Sequence, residues 1–175
     1  MHRIAVKREY LIGVGVVAVL FALTIGVPWL SAERGVDRAW HGLLDDIEGN
    51  DIENVAAVID AEYADAWGLK REEVVKVVET MRRQFLTCSI TRDAGRERTV
   101  SADNRRATIR AVVRVDGTGS PVAQMIVQAS QQGEVRTTFE WVRRSWKPWD
   151  WTLVRIENPQ AGPGVRRLQR ELGSR

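Results

Sequence analysis

Apolar and polar residues alternate along the stretch from Arg105 to Glu157, and this alternation predicts several long strands in succession. Residues two apart share one face of a strand, so each strand has an apolar face and a polar face. Three alternating sets carry their apolar positions at Ala107, Ile109, Ala111, Val113 and Val115; at Ala123, Met125, Val127 and Ala129; and at Val135, Thr137, Phe139 and Trp141.

Turns are predicted between these sets, and one more strand closes the series. Segments 116–119 (Asp-Gly-Thr-Gly) and 132–133 (Gln-Gly) have the composition of turns. A third turn, at 146–148 (Trp-Lys-Pro), precedes a last strand from Trp149 to Glu157. The expected result is a meander of antiparallel strands with one apolar face.

Three apolar stripes at helical spacing precede the strands and predict three helices. Their members are Val36, Ala39, Trp40, Leu43, Leu44 and Ile47; then Ile52, Val55, Ala56, Ile59, Tyr63, Ala66 and Trp67; then Val74, Val77, Val78, Met81 and Phe85. Helices followed by strands to the end of the domain are typical of an α+β fold. In such a fold the helices pack on one face of a curved antiparallel sheet.

Residues 11–30 carry no charge, and their length and apolar character predict a transmembrane helix. Twenty helical residues span about 30 Å, the thickness of a bilayer core. Arg3, Lys7 and Arg8 precede this run. The positive-inside bias therefore predicts a single-pass protein of the inner membrane, with its N-terminus in the cytoplasm and its domain on the periplasmic side. A cleaved signal peptide is the open alternative.

The net charge of +3 comes from the two ends of the chain. Residues 1–10 form a basic cytoplasmic tail, residues 31–159 the α+β domain, and residues 160–175 a second basic tail that we expect to be disordered. A charge excess confined to the ends is not typical of a nucleic-acid-binding fold, so no nucleic acid is expected as a partner. Cys88 is the one cysteine, and the two histidines lie far apart, so we expect no disulfide, metal or cofactor.

Four stretches carry a resemblance to a known superfamily: IENVAAVIDAEYADAW at 52–67, the Phe85-Leu86 passage into the first strand, RRATIRAVVRV at 105–115, and TTFEWVRRSWKPWDWTLVRI at 137–156. In element order and apolar spacing they resemble the nuclear transport factor 2-like superfamily, the cystatin-like α+β cone, here in a membrane-anchored form. The resemblance implies a curved sheet that wraps a long helix and leaves a pocket at its open end. Members include ketosteroid isomerase, scytalone dehydratase and limonene epoxide hydrolase, and also many binding and assembly domains, so it implies a fold rather than a function.

The implied pocket would be lined by the inner face of the sheet and by the long helix. Enzymes of this superfamily place Tyr, Asp, His or Arg there, whereas the predicted inner face of this chain is nearly all apolar. Tyr63 is the best polar candidate, and Asp60 and Asp65 beside it are expected at the surface. We therefore expect no catalytic residue. The candidate pocket residues are Tyr63, Trp67, Ile109, Met125, Phe139 and Trp141.

The outer face of the predicted sheet is basic and is a candidate surface for an acidic protein partner. We assign to it Thr108, Arg110, Val112, Arg114, Arg136, Thr138, Glu140, Val142 and Arg144. Like charges on adjacent strands would repel across a twofold axis, so a monomer or a weak homodimer is expected. The candidate contact residues are Arg110, Arg114, Arg136, Arg144, Trp146 and Trp149. Turn packing, a protein partner and the membrane all stay open for the two tryptophans.

The sequence favours a membrane-tethered, extracytoplasmic interaction domain without catalytic activity, which would fit an envelope assembly. The alternative is small-molecule binding, or an isomerase, dehydratase or hydrolase reaction, in the pocket of the cone. An inner face without an acid–base pair favours the first of these two functions.

Overall fold

The computed structural model describes residues 31–92, 95–131 and 136–159, and four helices and six strands lie within these ranges. The helices are α1 (Ala32–Gly49), α2 (Ile52–Val58), α3 (Arg71–Arg82) and α4 (Pro121–Gln131). The strands are β1 (Phe85–Arg92), β2 (Glu97–Val100), β3 (Arg106–Ala111), β4 (Val113–Gly119), β5 (Thr137–Arg143) and β6 (Trp151–Glu157). The predicted α+β class is confirmed, with one helix more than the three expected.

The first predicted helix is confirmed as α1, and local hydrogen bonds set its two ends. The hydroxyl of Ser31 accepts a hydrogen bond from the N–H of Arg34 at 3.2 Å, as an N-cap does. Asn50 ends the helix in the left-handed region at φ 59, a conformation that asparagine adopts more readily than most residues. The apolar stripe of α1 is buried through Val36, Trp40, Leu43 and Leu44.

The long second helix is wrong beyond Val58, where α2 ends. Ile59 takes up extended backbone and forms a parallel bridge with Leu153 of β6. The N–H of Asp60 then donates to the carbonyl of Leu153 at 2.9 Å. Because β6 is an edge strand, its unpaired backbone groups offer these residues hydrogen bonds that compete with continuation of the helix.

The strands form two antiparallel sheets, one in the order β2-β3-β5-β6 and the other of β1 and β4. The single strand predicted at 107–115 is divided at Val112: β3 pairs with β5, whereas β4 pairs with β1. Ala111 and Val112 are both buried, so the alternation is interrupted where the chain passes between the sheets. The predicted outer-face position of Val112 is therefore wrong. The segment 116–119, predicted as a turn, is the last part of β4.

The strand predicted at 123–129 is also wrong, because this stretch is the helix α4. Pro121 occupies the first helical position, where its missing N–H leaves no hydrogen bond unmade. The hydroxyl of Ser120 accepts a hydrogen bond from the N–H of Ala123 at 3.3 Å. Met125, predicted to face inward, is 60% exposed, whereas Ala123 is buried.

Several predictions lie outside the described residues. They concern the tail at 1–10, the transmembrane helix at 11–30, the turn at 132–133 and the tail at 160–175. Among the helices that the structure does describe, none combines the length and the apolar character needed to cross a bilayer.

Candidate functional site

A cavity of about 270 Å³ lies where the two sheets separate. At Val112 the chain leaves the sheet that contains β5 and enters β4, which pairs with β1 instead. Residues of α1, α3 and α4 also border the space that results. The helices contribute Leu44, Ile47, Val78, Met81 and Ile126 to the wall, and the strands contribute Phe85, Cys88, Ile90, Val113, Val115, Phe139 and Ile156.

Arg82 is the one charged residue on this wall among the described residues, beside the less polar Thr137 and Cys88. Its Nε donates to the carbonyl of Ile47 at 3.1 Å, its Nη1 to that of Phe85 at 3.1 Å, and its Nη2 to that of Glu48 at 3.0 Å. These bonds join α3 to the end of α1 and to the start of β1. Within the described ranges no carboxylate pairs with this guanidinium, so its positive charge adjoins the cavity.

The thiol of Cys88 is part of the same wall. Burial raises its pKa, although the nearby positive charge of Arg82 opposes this effect. A thiol with a raised pKa holds its proton at neutral pH and is a poor nucleophile. The cavity wall therefore contains a protonated, weakly nucleophilic thiol.

Tyr63 lies in the core and does not line the cavity. It is 2% exposed, and its hydroxyl donates to Oδ2 of Asp65 at 3.4 Å. Burial, together with the adjacent carboxylate of Asp65, raises the tyrosine pKa. The other oxygen of Asp65 accepts from the N–H groups of Trp67 at 2.9 Å and Leu69 at 2.8 Å, so this pair shapes the loop from 59 to 70. Asp65 is 8% exposed, and its predicted surface position is wrong.

Asp60 is likewise buried, at 5% exposure, although the sequence predicted a surface position. Its carboxylate accepts from Nε and Nη2 of Arg144 at 2.6 and 2.5 Å, and from the hydroxyl of Thr152 at 2.7 Å. The N–H of Glu62 donates to it at 2.9 Å. The hydrogen bonds from Arg144 are the largest cause of its lowered pKa. Through these contacts Asp60 holds Arg144, which directly follows β5, and Thr152 of β6 to the loop after α2.

Only one of the six predicted pocket residues lines the cavity, and it is Phe139. Tyr63, Ile109 and Trp141 are buried in the filled part of the core, Trp67 is partly exposed on the loop, and Met125 is exposed on α4. Arg82 and Ile126 were not assigned to any apolar set. The predicted helical stripes and strand faces did contain Leu44, Ile47, Val78, Met81, Phe85, Val113 and Val115. Their apolar spacing was visible, but the separation of the sheets that leaves space between them was not.

The predicted basic face is partly neutralised by its own acidic neighbours. Arg136 forms an ion pair with Glu97, and both line a groove of about 470 Å³ together with Arg110 and Glu157. Arg144 pairs with Asp60 and Glu62, and Arg114 is partly buried on β4. Trp146 and Trp149 are 82% and 59% exposed at the turn between β5 and β6.

Solved structures of nuclear transport factor 2-like proteins share this arrangement of helices and antiparallel strands. One such protein of unknown function from Pseudomonas putida has a TM-score of 0.54 and 13% identity, over 73% of this chain and 84% of that one. A proposed dehydratase of the same class from Streptomyces avermitilis has a TM-score of 0.54 and 14% identity, over 71% and 93%.

A third structure, Bd1075 from Bdellovibrio bacteriovorus, has a TM-score of 0.53 and 9% identity. The match covers 71% of this chain but only 39% of that longer one. No protein-family model matches this sequence, and a comparison with curated proteins gives no match either. Likeness at these identities shows the fold of the domain and leaves its function to be argued from the site.

Proposed function

We propose that this domain binds one small apolar molecule in the cavity between its two sheets, without reacting with it. The observation that carries the proposal is the composition of the wall, which is apolar except for Arg82, Cys88 and Thr137. Ligand sites in proteins are mostly apolar concavities with a few placed polar groups. The cavity has this composition, whereas the basic outer face is divided by ion pairs.

The size of the cavity limits the ligand. An apolar cavity of about 150 Å³ takes up benzene. The space of about 270 Å³ in this domain is therefore suited to a two-ring hydrocarbon body.

The charge at the wall limits the ligand further. Arg82 has five N–H groups. Three of them, one on each nitrogen, donate to carbonyl oxygens, which leaves two for a ligand. A carboxylate on the ligand would gain a charge-assisted hydrogen bond with it, and such a bond contributes roughly 1.5–3 kcal/mol. A cationic group would instead be repelled. An apolar body with one acidic group is the ligand class that fits best.

Binding is favoured over turnover because the wall has no acid–base pair within the described ranges. Two similar structures are named as a proposed dehydratase and a proposed aromatic ring hydroxylase. Dehydration needs a positioned group that takes a proton and another that gives one. The carboxylates of Asp60 and Asp65 are engaged elsewhere, and the pKa of the cavity thiol is raised.

We further propose that the domain is tethered to a membrane on its extracytoplasmic side. Residues 11–30 support this proposal through their length and lack of charge, and Arg3, Lys7 and Arg8 support its direction. Retention in the membrane fraction after a carbonate wash is the measurement that checks the tether. Release of a shorter, soluble form would show a cleaved signal peptide instead.

Calorimetry with three probes that share one naphthalene body tests the binding proposal. We expect 2-naphthoate to bind most tightly, 2-naphthylmethanol less tightly and 2-naphthylmethylammonium least, with a difference of about tenfold or more between anion and cation. Val115→Phe places an aromatic ring in the cavity that would obstruct the naphthalene body, and it should abolish binding of all three. Val142→Phe makes the same change at a partly exposed position outside the cavity wall and should leave binding unchanged.

Two results would contradict the proposal. Equal binding by the two valine variants would place the ligand outside the cavity. Conversion of a bound small molecule at a rate that Val115→Phe abolishes would show that the cavity carries a reaction.

A further inference from the structure

Two tryptophans at one end of the domain are exposed to solvent. The turn between β5 and β6, residues 144–150, presents Trp146 at 82% and Trp149 at 59% exposure. We call this segment the tryptophan turn. A large exposed apolar surface on a folded domain indicates a contact with something outside it.

The tryptophan turn is held in a fixed place against the beginning of α1. The carbonyl of Pro148 accepts a hydrogen bond from Nε1 of Trp151 at 3.0 Å. The same carbonyl lies so close to Gly35 that a Cβ on that glycine would be 1.9 Å from the oxygen. The first turn of α1 and the tryptophan turn therefore form one end of the domain.

The uncharged run at 11–30 joins the domain at this same end, with no linker between them. Ser31 already caps α1, and Ala32 is buried at 8% exposure. Residue 30 is bonded directly to Ser31, so the chain enters the domain from the run at the start of α1. A bilayer that holds the run would therefore lie near the tryptophan turn, which packs against the same part of α1.

We infer that the tryptophan turn lies in the headgroup region of the bilayer that holds residues 11–30, with Trp146 and Trp149 inserted. The inference rests on the proposed tether and is independent of the cavity ligand. Tryptophan prefers this region because its ring is apolar and its N–H can still reach a polar partner. The insertion would fix the orientation of the domain on the membrane surface.

Charge around the turn is mixed, so the indole rings and not lipid charge supply the attraction. Lys147 and Arg34 are exposed there, but so are Glu33 and Glu62, and Asp150 is partly exposed. Opposite charges close together largely cancel beyond a screening length of about 10 Å at 0.1 M salt. Insertion should therefore occur with zwitterionic lipid and change little with ionic strength.

The test uses the full chain in phosphatidylcholine vesicles whose acyl chains carry bromine just below the headgroups. Bromine quenches tryptophan fluorescence at short range. We expect Trp146→Phe/Trp149→Phe to lower the quenched intensity by roughly two-thirds, because the pair supplies two of the three tryptophans expected at the interface, Trp29 being the third. Trp40→Phe removes a fully buried tryptophan and should leave the quenched intensity unchanged.

The possible outcomes distinguish a failure of this inference from a failure of the proposed tether or of the proposed cavity ligand. Equal quenched intensity in the double variant and the unaltered chain overturns the inference. Protection of both tryptophans from aqueous iodide without quenching by bromolipid also overturns it and assigns the turn to a protein contact. Loss of the protein from washed vesicles removes the tether, and the inference with it. Naphthoate binding, measured on the same samples, reports separately on the cavity.

Discussion

The two halves of this domain differ in how completely their apolar surfaces are covered. In the first, which we call the filled half, α1, α2 and the loop at 59–70 cover β3, β5 and β6, and the largest fully buried side chains are Trp40, Trp141, Tyr63, Ile109 and Leu153. In the second, the open half, α3, β1, β4 and α4 border the cavity, and the neighbouring elements α1, β5 and β6 complete its wall, which is mostly aliphatic. Tryptophan and tyrosine fill the first half, whereas the wall of the second is mostly aliphatic and its aromatic residues are Phe85 and Phe139.

The difference follows from where the sheets separate. Strands in one sheet lie at a fixed spacing, so their side chains meet a helix layer at a constant distance. At Val112 the chain changes sheets, and the distance between β4 and β5 is no longer set by backbone hydrogen bonds. Phe139 stands at the border: it packs edge-on against Trp40, with ring centroids 6.2 Å apart, and also lines the cavity.

The largest change in the free energy of unfolding should come from removing a large buried side chain in the filled half. Trp141→Ala removes a side chain that is 1% exposed and should lower the free energy of unfolding by about 3–5 kcal/mol. Trp146→Ala removes the same group at 82% exposure and should change it by less than about 0.5 kcal/mol. Urea unfolding followed by circular dichroism measures both. Equal losses would mean that the two tryptophans are equally buried in solution.

The next effect concerns the carboxylate that holds the filled half together. Asp60→Asn weakens the hydrogen bonds from Arg144 and Thr152 and should cost about 1.5–3 kcal/mol at pH 7. Because the pKa of Asp60 is lowered in the folded protein, its stabilisation is complete above the unfolded value of about 3.9. It is lost as the pH falls below that value toward the folded one.

Unfolding midpoints measured at a series of pH values therefore check the direction of the pH dependence as well as the size of the stabilisation by Asp60. The gap between Asp60→Asn and the unaltered protein should narrow as the pH falls below about 4. Glu62→Gln, at an 82% exposed side chain that also contacts Arg144, is the matched control and should have a small effect at every pH. A gap that stayed constant down to the lowest pH would refute the assignment of a charged Asp60 to this role.

The same substitution, valine to phenylalanine, made once in each half, compares the space available around the side chain. Val55→Phe adds volume where the residue is 0% exposed in the filled half and should destabilise by about 1–3 kcal/mol. Val115→Phe adds the same volume next to the cavity and should be close to neutral, because the added ring has space to enter. Thermal unfolding midpoints compare the two. A loss as large at Val115 as at Val55 would show that the open half has no room.

The smallest change is a single methyl group on α1. Gly42→Ala adds it where no atom lies within 4 Å, and removal of a helix glycine should stabilise the protein by about 0.5–1 kcal/mol. Gly35→Ala adds it against the carbonyl of Pro148 and should be destabilising, since backbone would have to move. Opposite signs in urea midpoints are expected, and a gain at both positions would contradict the close contact of the tryptophan turn with α1.

The filled half was largely predictable from the sequence because the apolar residues of each of its elements follow a single helical or strand spacing. The helical stripe of α1 and the alternation of β3, β5 and β6 identify Trp40, Ile109, Phe139 and Trp141 as buried. The exception is α2, where an edge strand takes Ile59 out of the helix. A competition between two sources of hydrogen bonds cannot be seen in the spacing of apolar residues.

The open half was not predictable in the same way. Residues 121–131 satisfy both a strand and a helix pattern, and the Ser-Pro pair at 120–121 was the local signal that decides for the helix. Alternation along a strand predicts that Leu86 shares a face with Cys88 and Ile90, yet Leu86 is 85% exposed. The register of β1 shifts between Phe85 and Thr87, which reverses the face of the residue before the shift.

The cavity therefore follows from the structure and not from the sequence pattern. The single cysteine of the chain offers a direct measurement of ligand binding there. Cys88 lies on the cavity wall, so a bound molecule should shield its thiol from a thiol reagent. At constant pH, 2-naphthoate at ten times its dissociation constant should slow the reaction about tenfold by mass action. It should have no effect on Val115→Phe or on the unfolded protein in urea. A reaction rate in the folded, unaltered protein that does not change when naphthoate is bound would contradict ligand binding in this cavity.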